Sequence, residues 1–232
     1  MTLEAILFDF NGVLVDDEPM HAVLFQKVLA EEGVHLSKEE YYAKYLPYPD
    51  RDLFQAVMKE KGVAFDSARI ERMAERKARY YAEDADGVVF FPGAREFVQS
   101  AARRFPLAVA SGARREEIET ALHRAGLLNL FQAIVGAEDV GHGKPDPEAF
   151  QRALEEINNL LGSEIAPEEC LVVEDSKGGI QAAHRAGMNC LAVANSYPEE
   201  ELGQADWVVK SLSEISLEIL EHSWDDFKKN IT

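Results

Sequence analysis

The feature that most constrains this fold is an alternation of short apolar runs with helical segments. Six runs of three or four apolar residues are typical of buried strands, at positions 5–8, 107–110, 133–135, 171–173, 191–193 and 207–209. Helical segments separate the later runs, at positions 94–104, 115–124, 147–161 and 178–186, and a final helix is expected from about Ser213. Strands that alternate with helices form parallel sheets through right-handed crossovers. The sequence therefore predicts an α/β fold with a doubly wound, Rossmann-like parallel sheet.

The pattern of the sequence changes between the first predicted strand and the later strands. Residues 18–86 show helical periodicity and almost no strand signal, with helices predicted at 21–32, 38–44, 51–61 and 67–83. Ser37 and Ser67 are placed to cap two of these helices. We therefore predict a Rossmann-like core from residues 1–17 and 87–232, and an all-helical cap from residues 18–86. An insert here is expected over the carboxyl ends of the strands, where ligands bind in this architecture.

Composition narrows the range of partners. The chain has 232 residues, of which 47% are hydrophobic and 28% charged, and its net charge is −18. That charge repels nucleic acid and anionic membrane surfaces, so neither is an expected partner. Cys170 and Cys190 each adjoin a strand-like run and are expected to be buried free thiols in a reducing compartment. No apolar run is long enough to span a bilayer, so we expect a cytoplasmic protein that is a monomer or a weak dimer.

Four short polar segments each follow or adjoin one of the apolar runs. They are Asp9-Phe10-Asn11-Gly12-Val13, Ser111-Gly112, Gly143-Lys144-Pro145 and Glu174-Asp175-Ser176. Because parallel strands end at the same edge of a sheet, folding can bring these segments together. A carboxylate nucleophile, oxygen ligands for a metal and a cation for phosphate oxygens are the parts that phosphoryl transfer needs. Each segment alone is a weak signal, but their order and spacing together are specific.

On these segments the chain resembles the haloacid dehalogenase-like superfamily of phosphohydrolases over essentially its full length. It is most similar to the branch with a small helical cap after the first strand, near the β-phosphoglucomutase-like members. The resemblance implies that Asp9 is the nucleophile, which attacks phosphorus and becomes an aspartyl phosphate. It also implies that Ser111 and the Gly112 amide hydrogen-bond the transferring phosphoryl group, and that Lys144 neutralises its charge.

The same resemblance implies a Mg²⁺ cofactor. The expected ligands are the carboxylates of Asp9 and Asp175 and the main-chain carbonyl of Asn11, since Mg²⁺ prefers oxygen ligands and retains waters. Glu174 is expected to join the metal shell directly or through water. A purely structural role for Glu174 remains the alternative, because adjacent residues on an extended segment point to opposite sides.

Asn11 departs from the family pattern, which usually has an aspartate two residues after the nucleophile. That aspartate protonates the leaving group and then deprotonates the incoming water or hydroxyl. The side-chain amide of Asn11 cannot exchange a proton near neutral pH. General acid–base catalysis contributes about 10²–10⁴-fold, so its loss is large without being total.

Three explanations of Asn11 remain open. The enzyme hydrolyses leaving groups that need little protonation, or uses another base, for which His21 is the candidate. Alternatively, the chain is a phospho-ligand-binding protein with little turnover. In the third explanation the asparagine is an engineered replacement in an ordinary phosphatase.

The cap is expected to contact the far side of the substrate. Relatives that act on sugar phosphates carry an arginine and a lysine in the cap, and Arg51 and Lys77 fall at about those positions. The alternatives are a helix-packing or surface role for His21, a surface role for Arg51, and a solvated helix face for Lys77, which lies in the charged run Arg76-Lys77-Ala78-Arg79. The residues and the resemblance together predict a Mg²⁺-dependent phosphatase of a small phosphorylated metabolite, with a sugar phosphate as the candidate substrate. A sugar-phosphate mutase and a catalytically weak binding protein are the alternatives.

Overall fold

The chain forms two compact units in the computed structural model, which describes residues 2–46, 48–83, 88–218, 220 and 224. One unit combines the two ends of the chain, up to Asp16 and from Val89 onward. The other, called here the helical unit, runs from Asp17 to Val88. The predicted domain boundary between residues 86 and 87 lies outside the described residues, as does most of the final helix expected from Ser213.

The first unit contains a six-stranded parallel sheet, which confirms the predicted fold class. Its strands in chain order are β1 (Ala5–Phe8), β4 (Leu107–Ala110), β5 (Ala133–Val135), β6 (Cys170–Glu174), β7 (Asn189–Val193) and β8 (Trp207–Val209). Their spatial order is β5-β4-β1-β6-β7-β8, and every neighbouring pair is parallel. The chain leaves β1 first towards one edge and then towards the other. The carboxyl end of β1 is therefore the topological switch point, where such sheets bind ligands.

The helices α5 (Ala94–Ala101), α6 (Arg115–Arg124), α7 (Glu148–Leu161) and α8 (Lys177–Arg185) accompany this sheet. Buried side chains of α7 and α8, such as Phe150 and Ile180, share one apolar core with the strands. All four residues of β1 are buried, as expected for a central strand of a parallel sheet covered on both faces.

A two-stranded antiparallel ribbon was not predicted from the sequence. It pairs β2 (Val15–Asp16) with β3 (Val89–Phe90), close to the points where the chain enters and leaves the helical unit. With two residues in each strand, the ribbon has no detectable periodicity, and its pairing depends on residues more than seventy positions apart.

The helical unit contains α1 (Glu18–Glu31), α2 (Lys38–Glu40), α3 (Asp50–Glu60) and α4 (Ser67–Glu83). A π-helical turn, Tyr41–Tyr45, follows α2 in place of the single helix predicted at 38–44. The turn buries Tyr41 and Tyr45, whose hydroxyls donate to the carboxylates of Glu18 and Glu60. These two contacts give a physical reason for the altered turn.

Two capping predictions had different outcomes. Ser37 caps α2 as predicted, because its hydroxyl accepts a hydrogen bond from the Glu40 amide at 3.0 Å. The predicted cap at Ser67 is wrong. The carboxylate of Asp66 accepts from the Arg69 amide at 2.7 Å, and Ser67 is already the first helical residue.

The predicted state of the cysteines is confirmed, since Cys170 and Cys190 are free and buried. None of the helices that the structure describes is both long enough and apolar enough to traverse a lipid bilayer.

Candidate active site

The pairing of the central strands brings the first residues of three motifs side by side. Phe8, the last residue of β1, pairs with Val109 of β4 and with Val173 of β6. The next residue, Asp9, donates its backbone amide to the Val173 carbonyl at 2.9 Å. Ser111 follows Val109 by two residues, and Glu174 follows Val173 by one. The predicted meeting of these segments at one sheet edge therefore follows from the pairing of the strands.

Lys144 joins this edge from the loop that follows β5. Its ammonium lies 3.0 Å from Asp9 Oδ1 and 2.7 Å from Glu174 Oε1. Burial alone would favour the neutral amine, yet the two carboxylates hold the pKa of Lys144 above its ordinary value. A permanent positive charge thus stands beside the proposed nucleophile.

Glu174 is fully enclosed, with 0% of its side chain exposed. Its Oε2 accepts from the Asp175 amide at 2.8 Å, the Ser176 amide at 2.8 Å and the Ser176 hydroxyl at 2.9 Å. Burial raises the pKa of the Glu174 carboxyl, but Lys144 and these hydrogen bonds outweigh burial and bring the pKa below its ordinary value. A Cβ at Gly179 would overlap this carboxylate, so the first turn of α8 requires glycine there.

Asp175 is also buried, and it faces the first loop of the chain. Its Oδ2 accepts a hydrogen bond from the Ser196 hydroxyl. Gly12 lies so close that a Cβ there would overlap the Asp175 carboxylate, and its φ of 78° is in the left-handed region that favours glycine. Burial, followed by the charges of Glu174 and Asp9, raises the pKa of Asp175 to about 8.

The donor set and its charge fit a divalent cation. One carboxylate oxygen from each of Asp9, Glu174 and Asp175 lies within 4.8 Å of the other two. Three carboxylates and one ammonium, that of Lys144, give a formal charge of −3 + 1 = −2. Oδ1 of Asp9 is buried and lies 3.0 Å from the Lys144 ammonium, which Glu174 shares. Hard oxygen ligands with an excess charge of −2 suit Mg²⁺.

Asp9 itself has a raised pKa, first because of burial and then because of the charge of Glu174, although Lys144 opposes the shift. In water a carboxyl group would be ionised at neutral pH. A nearby divalent cation would favour the ionised form of both Asp9 and Asp175, since an opposite charge lowers a carboxyl pKa. Ionised Asp9 is the form that can attack phosphorus.

Ser111 and Gly112 directly follow β4. Ser111 is buried, and its amide donates to the Val135 carbonyl at 3.0 Å, which fixes the turn beside β5. A Cβ at Gly112 would meet no described protein atom within 4 Å, so contacts within the protein do not account for glycine here. Space for a ligand against the backbone is consistent with that observation.

Asn11 lies two residues after Asp9, in the turn that leads to β2. The turn is held by backbone hydrogen bonds from Gly12 N to the Val15 carbonyl at 3.0 Å and from Leu14 N to the Phe10 carbonyl at 2.9 Å. This geometry keeps the backbone of Asn11 at the carboxyl edge of β1. Its main-chain carbonyl remains a predicted metal ligand beside the carboxylates.

His21 lies in the helical unit, where it joins a small buried polar cluster. Its Nε2 lies 3.0 Å from Asp17 Oδ2, and the Tyr81 hydroxyl donates to that same oxygen at 3.0 Å. The imidazole also stacks on the Tyr81 ring at a centroid distance of 5.2 Å. Its Nδ1 is buried and makes no hydrogen bond to any part of the chain that the structure describes.

Lys77 is buried, with 1% of its side chain exposed, so the alternative that it belongs to a solvated helix face is wrong. Its ammonium lies 2.7 Å from Asp50 Oδ1 and 4.5 Å from the centroid of the Phe25 ring. Arg51, in contrast, is 61% exposed and forms a bidentate pair with Glu71 at 2.6 and 2.7 Å. Both predicted substrate contacts are therefore engaged with carboxylates of the helical unit.

Four polar residues of these clusters were missed by sequence reasoning: Asp17, Tyr81, Asn195 and Ser196. Asp17 had the best available signal, because a carboxylate four residues before His21 lies on the same face of a helix. Asn195 and Ser196 carry no motif, and their contacts join residues that are far apart in the chain.

Comparison with known proteins gives consistent results. A family model described as haloacid dehalogenase-like hydrolase matches residues 6–193. A chloroplastic 5-amino-6-(5-phospho-D-ribitylamino)uracil phosphatase of Arabidopsis thaliana is 32% identical over 91% of this chain, which spans 55% of that relative's length. A phosphorylated carbohydrates phosphatase of Thermotoga maritima is 31% identical over 80% of this chain and 82% of its own length.

Among solved structures, a mutant of CbbY from Rhodobacter sphaeroides in complex with xylulose-1,5-bisphosphate is similar in structure to nearly all of this chain. It superposes with a TM-score of 0.80 at 25% identity and covers 93% of this chain and 97% of the other. The family match covers far more than half of the chain, and the matched residues include all four motifs. This chain belongs to the haloacid dehalogenase-like hydrolase family, and it is an enzyme of hydrolase type.

Proposed function

We propose that this protein is a Mg²⁺-dependent phosphatase that hydrolyses a small phosphorylated metabolite through an aspartyl phosphate on Asp9. The observation that carries the proposal is the buried group of three carboxylates, Asp9, Glu174 and Asp175, beside the single ammonium of Lys144, which leaves a formal excess charge of −2. Relatives at about 30% identity are named as phosphatases of such compounds, which supports the same conclusion.

The reaction has two displacements at phosphorus. In the first, a carboxylate oxygen of Asp9 forms a bond to phosphorus while the bond between phosphorus and the ester oxygen breaks. The leaving oxygen takes a proton and departs as an alcohol. In the second, water attacks phosphorus, loses a proton, and releases inorganic phosphate with regeneration of the Asp9 carboxylate.

Lys144 and the turn after β4 provide the electrostatic part of this mechanism. The Lys144 ammonium lies 3.0 Å from Asp9, so it can orient the nucleophile and neutralise a phosphoryl oxygen. The Ser111 hydroxyl and the Gly112 amide are the proposed donors to the other phosphoryl oxygens. Asp9, Asp175 and the Asn11 carbonyl would hold the Mg²⁺, with Glu174 contributing directly or through water. When bound, Mg²⁺ supplies positive charge that stabilises the developing charge on the phosphoryl group.

Asn11 sets the limits of this activity. An amide cannot deliver a proton to the leaving oxygen, so the first displacement depends on water, on a good leaving group or on another side chain. We propose His21 as that side chain, together with Arg51 and Lys77 as contacts for the rest of the substrate. Because the ammonium of Lys77 is committed to Asp50, its use by a substrate requires that this ion pair be exchanged.

The substrate class we propose is a sugar phosphate. The Thermotoga relative is named for phosphorylated carbohydrates, and the Rhodobacter structure holds a pentulose bisphosphate. A mutase is a less suitable proposal, because its second half-reaction must activate a sugar hydroxyl and Asn11 cannot accept that proton. A binding protein with little turnover is the second candidate, and Asn11 is the observation that favours it.

The deciding experiment compares the protein with its Asn11→Asp variant. Both are assayed with p-nitrophenyl phosphate, acetyl phosphate and a panel of sugar phosphates, with Mg²⁺ and with EDTA. We expect Mg²⁺-dependent hydrolysis by both proteins, and a rate about 10²–10⁴-fold higher for Asn11→Asp on sugar phosphates. The rate of acetyl phosphate hydrolysis should rise much less in Asn11→Asp, because the leaving group of acetyl phosphate needs little protonation.

The outcome separates the two candidates. A binding protein would bind sugar phosphates tightly and would form no phosphoenzyme, even with Asn11→Asp. A gain of less than tenfold on every substrate would contradict the role assigned to position 11. If neither protein hydrolyses any substrate, the phosphatase proposal itself is wrong.

A further inference from the structure

The loop after β7 contacts two parts of the candidate active site, although no motif includes it. Asn195 and Ser196 follow the last residue of β7, Val193, by two and three positions. The Asn195 amide donates to the Val193 carbonyl at 2.8 Å, so the chain turns directly after the strand. In the sheet, Ala192 pairs with Glu174, which brings this loop beside the end of β6.

The first contact is made by Asn195. Its Nδ2 donates to the Gly12 carbonyl at 2.7 Å, across 183 residues of sequence. The Gly12 amide donates in the other direction, to the Val15 carbonyl at 3.0 Å. Both backbone groups of Gly12 are therefore fixed. The position of the Asn11 carbonyl, one residue earlier, depends on this turn.

The second contact is made by Ser196, whose hydroxyl donates to Asp175 Oδ2. Asp175 is buried, while Ser196 is an exposed residue. Packing therefore gives little reason for this contact, and its main effect falls on the carboxylate. A hydrogen bond to Oδ2 fixes the rotation of that carboxylate and leaves Oδ1 as the oxygen available to a cation.

We infer that Asn195 and Ser196 are positioning residues, which hold the Asn11–Gly12 turn and the Asp175 carboxylate in the arrangement that binds the divalent cation. The inference rests on the proposed function for its cation. Groups that hydrogen-bond metal ligands orient them, and their removal typically weakens metal binding. Here two consecutive residues act on two separate ligands, so the loop connects the ends of β1 and β6.

The test measures cation binding rather than turnover. The full chain is titrated with Mg²⁺ by calorimetry, and the rise of the thermal unfolding midpoint with Mg²⁺ is recorded in parallel. We expect Ser196→Ala to weaken Mg²⁺ binding by about 10–100-fold. Asn195→Ala should weaken it by about three- to tenfold, the range for one neutral hydrogen bond. Ser196→Thr keeps the hydroxyl and should restore binding to within about threefold.

Two variants serve as matched controls. Asn189→Ala removes a side chain that also donates to backbone carbonyls, at the other end of β7. Ser163→Ala removes a hydroxyl that also donates to a side-chain oxygen, that of Asn158 at 2.9 Å. Neither side chain contacts the candidate site, so both variants should bind Mg²⁺ like the original protein. Their unfolding midpoints show how much stability such contacts provide.

The results distinguish this inference from the proposed function. If Asp175→Asn abolishes Mg²⁺ binding while Ser196→Ala and Asn195→Ala bind it like the controls, the positioning role is wrong and the metal site stands. A lower unfolding midpoint in Ser196→Ala with unchanged Mg²⁺ affinity also overturns it. If Asp175→Asn still binds Mg²⁺ at full affinity, the metal site is elsewhere and both proposals fall.

Discussion

The two units treat buried charge in different ways. In the unit that holds the sheet, the Lys144 ammonium pairs with both Asp9 and Glu174, and the carboxylate of Asp175 lies in the same group. In the helical unit, Asp50 has Lys77 as its own partner. Burying an ion costs free energy unless it is paired. A cluster whose charges are fully paired can be explained by stability alone, whereas the carboxylates around Asp9 outnumber the ammonium groups that the described residues place beside them, as expected for a site that binds a cation.

Burial raises a carboxyl pKa in both units, and the shift is larger for Asp175 than for Glu18. Burial and neighbouring charges raise the pKa of Asp175 to about 8, so the chain alone does not keep this carboxyl ionised at neutral pH. In the helical unit, burial raises the pKa of the Glu18 carboxyl, but a hydrogen bond from Tyr41 and the charge of His21 oppose the shift. Perturbed acids are candidates for function where no internal partner removes the perturbation.

The largest expected effect is on turnover, and it tests whether the incompletely compensated cluster is the reactive one. Asp9→Asn removes the nucleophile, so kcat/KM for any hydrolysed phosphate ester should fall by at least about 10³-fold. Asp16→Asn is the matched control, because Asp16 is an exposed carboxylate on β2 in the same segment. Its kcat/KM should stay within about twofold. An Asp9→Asn variant that keeps a tenth of the activity would remove Asp9 from the mechanism.

The second prediction concerns the compensated pair and the stability of the helical unit. Lys77 is 1% exposed and Asp50 is 30% exposed, so the two ends of the ion pair are not equivalent. Asp50→Ala leaves an ammonium buried over the Phe25 ring, and should lower the free energy of unfolding by about 2–3 kcal/mol. Lys77→Met leaves a carboxylate that water can reach, and should cost about 1 kcal/mol.

Urea unfolding of both single variants and of the double variant measures this asymmetry. If the order is reversed, Lys77 is not a structural cation. The same variants inform the substrate proposal, because a rise of KM in Lys77→Met with unchanged stability would indicate contact with substrate.

The third prediction concerns how pH changes the stability of the protein with and without Mg²⁺. The pKa of Asp175 is raised to about 8 without a cation, against about 3.9 in an unfolded chain. The folded state therefore holds its proton more tightly. In EDTA, stability should fall as pH rises from about 4 to about 8, by at most about 1.4 kcal/mol per pH unit.

Mg²⁺ competes with that proton, so its binding should weaken as pH falls below 8, by at most about tenfold per pH unit. The measurement is the unfolding midpoint between pH 5 and 8.5, with EDTA and with excess Mg²⁺. The stabilisation by Mg²⁺ should be greatest at the alkaline end. Asp175→Asn, which cannot ionise at this position, should weaken both trends, and a constant effect of Mg²⁺ across this range in the original protein would contradict the ligand role of Asp175.

The sheet and the four motifs were predictable because their signals are local. A buried parallel strand is a short apolar run, and the residue that follows it, such as Asp9 or Ser111, lies at the carboxyl edge whatever the exact pairing. The helix bounds were close for the same reason; α6, for instance, covers the predicted range. Ser196 could not be found in this way, because its contact with Asp175 depends on how the loop after β7 turns.

The burial of Lys77 was indicated by helical periodicity, but its charged neighbours argued against it. Its neighbours Arg76 and Arg79 favoured a solvated helix face, yet position 77 continues the buried stripe of α4 formed by Ile70, Met73, Ala74 and Tyr81. Periodicity therefore predicted its burial better than residue type did. Neither periodicity nor residue type could identify the ion-pair partner of Lys77, because Asp50 lies on another helix, α3.

The smallest expected effect on stability concerns an ion pair at the surface, that of Arg51 and Glu71. Arg51 is 61% exposed and Glu71 is 45% exposed, so water screens their bidentate contact. Arg51→Gln and Glu71→Gln should each change the free energy of unfolding by about 0.5 kcal/mol or less. The two variants differ in what they predict for substrate. If Arg51 contacts a phosphorylated substrate, Arg51→Gln should raise KM, whereas Glu71→Gln frees the guanidinium and should lower it. Equal KM values in both variants would show that Arg51 serves only its surface ion pair.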